Sequence, residues 1–359
     1  MNHVLSAQTE LSRIAVRVRR IKPSPSTAAA DRANSLRQAG RSIVNLVVGE
    51  PDFDTPAHIR AAAAAAMDRG ATRYTLMAGT TELRQAIAAK LDRENSLRYD
   101  AHEIIATAGA KSAIYNALAV TVEPGDEVIV PAPYWVSYPD MVLACEGASV
   151  TLACPESAGF KLTPGQLEAA ITARTRWLLV NSPSNPTGAT YTAEEYRALG
   201  DVLLAHPHVL VMTDDIYEHI RFDGARTPHL LEAVPALRDR TLAVNGVSKT
   251  YAMTGWRIGW AAGPADIVEA MNTMLSQSSG NCCSVSQAAA AEALNGDQAF
   301  VTESVAVYRE RRDVMLAGIN AIPGLNCSPP SGRSTFTSTA PGSLARLRPT
   351  AGSWPRTAT

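Results

Sequence analysis

Residues 175–188 read TRWLLVNSPSNPTG, and the fold depends on what kind of element this is. A short apolar run that stops abruptly at a Pro- and Gly-rich cluster has the length and punctuation of a buried strand ending in a turn, not of a helix. The same pattern recurs in DEVIVPAP (126–133), HVLVMTDDIY (208–217) and TLAVNGVSK (241–249), with segments such as SAIYNALAVTV (112–122) reading as helices between them. The alanine tract RAAAAAAMDRG (60–70) is also read as a helix, alanine being the best helix former. Short apolar strands separated by helices predict an α/β fold, a parallel, doubly wound sheet covered on both faces.

In such sheets ligands bind outside the carboxyl ends of the strands. The polar residues of this chain cluster there, so Asn185, Asp214 and Lys249 are expected to converge. Each has an ordinary alternative. Pro183 and Pro186 hold Asn185 in a rigid turn, where its amide can donate to an oxygen that develops negative charge; an Asx-turn accounts for it equally well. Asp214 could keep a ring nitrogen protonated through a charge-assisted pair, with Tyr217 donating to a phenolic oxygen of the same ring. Two acids after a strand also serve as solvated or capping groups.

TAGAKSAIYNAL (107–118) carries a strand into a small-residue turn and a helix, an arrangement that offers N–H groups to a phosphate. Many such turns hold nothing, and Lys111 there could be solvated. In VSKTYAMTGWRIGWAAGP (247–264), a desolvated Lys249 can form a Schiff base with an aldehyde, and Arg257 presents a planar fork suited to phosphate. Either residue alone could be a surface charge. Four such sites after four strands of one sheet make coincidence a poor explanation.

Composition removes other classes of function. An apolar share of 46% with 19% charged residues is globular rather than disordered. A net charge of −1 gives no field to draw nucleic acid or an acidic membrane, and no apolar run reaches the roughly 18 residues of a membrane span. The first residues lack the apolar core of a signal peptide, and a helix packing on the protein itself is expected there. The five cysteines show no Cys-x-x-Cys spacing and are read as reduced thiols of a cytoplasmic protein; the scattered histidines make a metal site improbable.

In order along the chain, VGEPDFDTP (48–56), YTLMAGTTELR (74–84), PYWVSYP (133–139), NSPSNPTG (181–188), DDIYEH (214–219) and SKTYAMTGWRIG (248–259) form a highly specific set. With it the chain resembles the fold-type I, pyridoxal-phosphate-dependent aminotransferases, specifically their bacterial aspartate aminotransferase subgroup, from about residue 11 to Gly332. The resemblance implies pyridoxal 5′-phosphate as cofactor, with Lys249 as the Schiff-base lysine and proton shuttle. It implies Asp214 on the pyridinium nitrogen, Asn185 and Tyr217 on the phenolic oxygen, and Trp135 stacked on the ring. Around the phosphate it places Ala110, Lys111, Ser248 and Arg257, with Tyr74 reaching the phosphate of a neighbouring subunit in a homodimer with shared sites. Gly49, Trp135, Asn185 and Lys111 would line the substrate, Lys111 near its distal carboxylate. Gly246 departs from the serine often found three residues before the lysine. The implied reaction is ping-pong transfer of an amino group between L-aspartate or L-glutamate and their 2-oxo acids, L-aspartate with 2-oxoglutarate first. Prephenate and aromatic acceptors, a PLP-dependent lyase or decarboxylase, and a non-catalytic PLP-binding remnant are the alternatives.

The implied organisation is an N-terminal segment with part of a small domain (1–50), a large PLP-binding domain (51–295), a connecting helix opening an incomplete small α+β domain (296–332), and a tail (333–359) unlike the family. The tail has no Asp or Glu and is rich in Ser, Thr, Pro and Arg. One permitted codon choice for Arg333–Thr339, read one base earlier, encodes Ala-Phe-Tyr-Val-His-Val-Asn, which continues the family pattern and alternates like a strand. A frameshift near the Gly332 codon is therefore expected. It would cost the chain the arginine with which the family grips the substrate α-carboxylate, and none of Arg346, Arg348 and Arg356 has a motif to replace it.

Overall fold

A computed structural model describes residues 13–44 and 49–333. All but the first residue of the tail lie outside that range. Seven strands form one sheet: β1 (Ile104–Thr107), β2 (Glu127–Ala132), β3 (Ala148–Ala153), β4 (Thr175–Asn181), β5 (Leu210–Asp214), β6 (Thr241–Gly246) and β7 (Gly259–Ala262). Their order is β1-β7-β6-β5-β4-β2-β3. The apolar runs singled out above are β2, β4, β5 and β6, the central strands. Alternate residues feed two cores: Leu178 and Val180 of β4 point to one, Trp177 and Leu179 to the other. That two-sided burial is why these strands are continuously apolar instead of alternating. Trp177 is fully buried, and its indole N–H donates to Thr121 Oγ1 at 2.8 Å, so its polar edge is satisfied.

The helices obey local rules. The alanine tract lies in the helix Ala57–Asp68, which stops where Gly70 takes φ +76° and Ala71 N–H donates back to Ala66 O. Thr192 caps the helix Ala193–Ala205 in a capping box with Glu195. Near the N-terminus, the short helix Val16–Arg20 packs on the helix Ser137–Ala144, as expected of a segment folded onto the protein.

The sheet is mostly parallel, as expected, with one strand reversed. β7 runs antiparallel to both neighbours, β1 and β6, so Thr107 and Gly246 both pair with Gly259. β1 and β6 consequently end at the same level, and β7 begins there. On the other side of β6, Asp214 pairs with Asn181 and Val244. One edge of the sheet thus collects the ends of β1, β4, β5 and β6 and the start of β7.

Candidate active site

Asp214, the last residue of β5, is buried at this edge. Tyr138 donates its hydroxyl to Asp214 Oδ2 at 2.6 Å, while among the described residues Oδ1 receives only the Ile216 amide at 3.4 Å. Burial pushes the Asp214 carboxyl up to about 6, against the Tyr138 hydrogen bond, which acts to lower it. A cation or a protonated ring nitrogen at Oδ1 would reverse that shift, and no cationic side chain pairs with this carboxylate among the described residues.

The loop after β4 is tied to the same point. Asn181 donates to Asp214 O at 2.7 Å and accepts the Asn185 amide at 2.6 Å, which fixes the turn and leaves the Asn185 side chain unengaged among the described residues. Gly188, at φ +70°, lies so close to Gly332 and Pro330 that a side chain there would collide with both. Gly332 N–H closes that contact on Gly188 O at 3.1 Å.

After β6, Ser248 is buried and Lys249 half-buried. Lys249 Nζ donates to Gly49 O at 2.7 Å, which brings those two expected residues together across the molecule. Tyr217 is buried nearby in the chain segment that follows β5.

The β1 turn is shaped for an anion. Gly109, at φ +88°, precedes the helix Ala110–Thr121, whose first amides have no intrahelical acceptor. Arg257, itself at φ +55°, spans this turn: Nη2 donates to Ala108 O at 3.2 Å and Nη1 to Thr254 O at 2.8 Å. A Cβ on Gly109 would stand 2.5 Å from Arg257 Nη2. Gly259 lies so close to the Ala110 amide that it too excludes a side chain. Glycine at these two places lets a guanidinium lie directly beside a helix N-terminus, a combination suited to phosphate.

Above the turn, Lys111 Nζ lies 4.8 Å from the Trp135 ring centroid, and Trp135 meets Tyr138 edge-on at 5.3 Å. Burial and the charge of Arg257 lower the proton affinity of Lys111. Tyr74 is 97% exposed.

A family profile described as "Aminotransferase class I and II" matches residues 41–343. The chain belongs to this family. It is 51% identical over 320 residues to an aspartate aminotransferase of Rhizobium meliloti (strain 1021), covering 89% of this chain and 78% of that one. With an aspartate/prephenate aminotransferase of Cereibacter sphaeroides it shares 52% over 315 residues, 87% and 78% of the two chains. Among solved structures, the aspartate aminotransferase of Rhizobium meliloti superposes with a TM-score of 0.90 at 49% identity, over 92% of this chain and 83% of that one. The Thermus thermophilus aspartate aminotransferase with maleate gives 0.86 at 41%, over 90% and 84%. As a class I and II aminotransferase, the chain is an enzyme of amino-group transfer with the expected fold.

Three contributors to this site were not singled out from the sequence. Tyr138 follows Trp135 by three residues, and that spacing on a helical turn was the available signal. Asn181 ends β4 just before the turn that carried the argument. Arg333 opens the tail read as foreign to the family, yet it is only 6% exposed, with its guanidinium 5.0 Å from the Tyr217 ring centroid. Its Nε and Nη1 have no hydrogen-bond partner among the described residues. No sequence signal distinguished it from the other arginines of the tail.

Proposed function

We propose that this enzyme moves the amino group of L-aspartate to 2-oxoglutarate, and L-glutamate's to the matching 2-oxo acid in reverse, with pyridoxal 5′-phosphate as cofactor. The observation that carries the reading is Asp214: a buried carboxylate with one oxygen held by Tyr138 and the other barely engaged, at the edge where β6 delivers Lys249. The glycine-lined turn beneath Arg257 supports the phosphate's place, and the aspartate specificity rests on the named relatives.

When bound, pyridoxal phosphate supplies an electron sink for the substrate Cα. Lys249 Nζ would hold the cofactor through its aldehyde carbon and, once displaced there by the substrate amine, would take the proton from the substrate Cα. Asp214 Oδ1 would hold the ring nitrogen's proton, and its own proton affinity would fall as it gained that partner. Asn185 and Tyr217 would donate to the phenolic oxygen, and Trp135 would cover the ring. The Ala110 and Lys111 amides, Ser248 and Arg257 surround the phosphate. Gly49 and Lys111 face the substrate, the Lys111 ammonium toward its distal carboxylate. The exposed Tyr74 completes the site of a second copy in a homodimer.

The test is to load the purified chain with pyridoxal phosphate, fix the adduct with borohydride and map it. The expected result is attachment at Lys249, absent in Lys249→Ala, with oxaloacetate formed from L-aspartate beyond one equivalent per site only when 2-oxoglutarate is present. Release of carbon dioxide, or attachment elsewhere, would overturn the reading. Supplying prephenate in place of 2-oxoglutarate then defines the acceptor.

A further inference from the structure

Behind the site lies a second set of charged side chains that the reaction does not use. Lys90, on the helix Thr81–Asn95, is only 1% exposed. Its ammonium donates to Glu218 and to Asn95 Oδ1 at 2.7 Å, and pairs with Glu94 Oε2 at 3.5 Å. Glu218 is equally engaged: Asn95 donates to Oε2 at 2.9 Å and Asn245 to Oε1 at 2.5 Å. His219 continues the network, Nε2 to Glu94 at 2.8 Å and Nδ1 to Thr250 Oγ1 at 3.2 Å. Glu94, Glu218 and His219 have the side chains of a metal site, but the positive charge between the two carboxylates is that of Lys90.

The places of these residues in the chain give the network its meaning. Glu218 and His219 directly follow Tyr217. Asn245 lies in β6, and Thr250 directly follows Lys249. Two chain segments that arrive from different strands are therefore joined around one buried ammonium on a third element. The one with Asp214 and Tyr217 binds it through Glu218, and the one with Ser248 and Lys249 is tied to that segment through Asn245 to Glu218 and Thr250 to His219. Asn245 Oδ1 also accepts the Gly246 amide at 2.7 Å, so the β6 end is held from the side chain it sends to Glu218. Burying an ion pair seldom adds stability over apolar residues of equal volume, although breaking one partner away is costly. A fully satisfied network of this kind fixes geometry more than it lowers free energy.

We propose that Lys90 and Glu218 are positioning residues: their buried ion pair sets the relative placement of Tyr217 and Lys249 and so the fit of the cofactor between them. The proposal rests on the roles given to Tyr217 and Lys249 above.

The decisive variant is Lys90→Met with Glu218→Gln, which removes both charges together and nearly keeps side-chain volume. It leaves one amide oxygen to accept from Asn245 and an amide NH2 able to donate to the Asn95 Oδ1 that Lys90 vacates. The full chain is compared with its parent in two ways. The first is hydrogen–deuterium exchange without cofactor, and the second is the dissociation constant of pyridoxal phosphate. The expected result is a folded protein in which residues 215–220 and 246–251 both exchange at least tenfold faster, the strands stay unchanged, and the cofactor binds at least tenfold more weakly. A folded double variant in which either segment keeps the parent's exchange, or whose cofactor affinity stays within threefold of the parent's, overturns the proposal. If the double variant does not fold, Thr250→Val decides: faster exchange in 215–220 as well as 246–251 supports the clamp, and an effect confined to 246–251 overturns it. A parent chain that binds no pyridoxal phosphate defeats the functional reading, while the exchange comparison still tests the clamp.

Discussion

Asp214 and Glu218 are four residues apart, both buried, both carboxylates, and they titrate in opposite directions. Burial alone would raise either one. For Glu218 the Lys90 ammonium, His219 and its hydrogen bonds overcome that effect and hold the group down at about 2. For Asp214 the Tyr138 hydroxyl opposes burial without overcoming it, and the group rests at about 6. Burial depth is the same, so the partners decide. Glu218 is a completed structural interaction, and Asp214 is an interaction left open on one side, as expected of a group whose partner arrives with a ligand.

The contrast breaks most visibly in activity. Asp214→Asn keeps the shape but cannot hold a ring proton by charge, and transamination should fall about 10³-fold or more. A turnover assay that finds less than a tenfold loss would make Asp214 as structural as Glu218. The converse change is expected in the fold. Glu218→Gln alone takes the nearer carboxylate from the buried Lys90 charge and leaves it Glu94 at 3.5 Å, and should cost about 3 kcal/mol in urea unfolding.

Asp214→Asn, in contrast, should stabilise the cofactor-free chain at pH 7 by up to about 3 kcal/mol, because the parent keeps a buried charge whose affinity for a proton is raised by folding. The sign follows from proton binding: between pH 6 and 4 the folded state holds more protons at this group than the unfolded state. The parent therefore gains stability from this group as pH falls through that window, and the advantage of the variant should shrink toward zero near pH 4. A constant difference across the window would remove the charge from the explanation. The smallest effect belongs to Tyr138→Phe. Losing that donor should push Asp214 higher still and cost about 1 kcal/mol, with cofactor binding a few-fold weaker.

Much of this was legible in the sequence, for a physical reason. Strands buried on both faces must be apolar throughout, so DEVIVPAP and TRWLLVNSPSNPTG announce themselves, and the rule that ligands sit at strand ends then marks Asn185, Asp214 and Lys249. The direction of β7 was not legible. IGWAAGP reads as an apolar strand either way, and only the lack of a crossover helix in 247–258 turns it antiparallel. Lys90 was hidden for a different reason: a lysine in AIAAKLDREN looks solvated, and its carboxylate lies 128 positions away. Arg333 was hidden by composition, since a segment without acids offers no hint that one of its arginines is buried.

The reversal of β7 has a consequence for how this chain tolerates change. Lys249 and Arg257 sit on a single excursion, 247–258, whose two ends are pinned by the pairing of Gly246 with Gly259. The excursion works as a ruler, measuring the distance from the lysine's nitrogen to the guanidinium. Substitutions along it can be absorbed one side chain at a time, but the insertion or deletion of a single residue would change that distance while both ends stay fixed. In this family member, the spacing between Lys249 and Arg257 should be harder to alter than the identity of any residue between them.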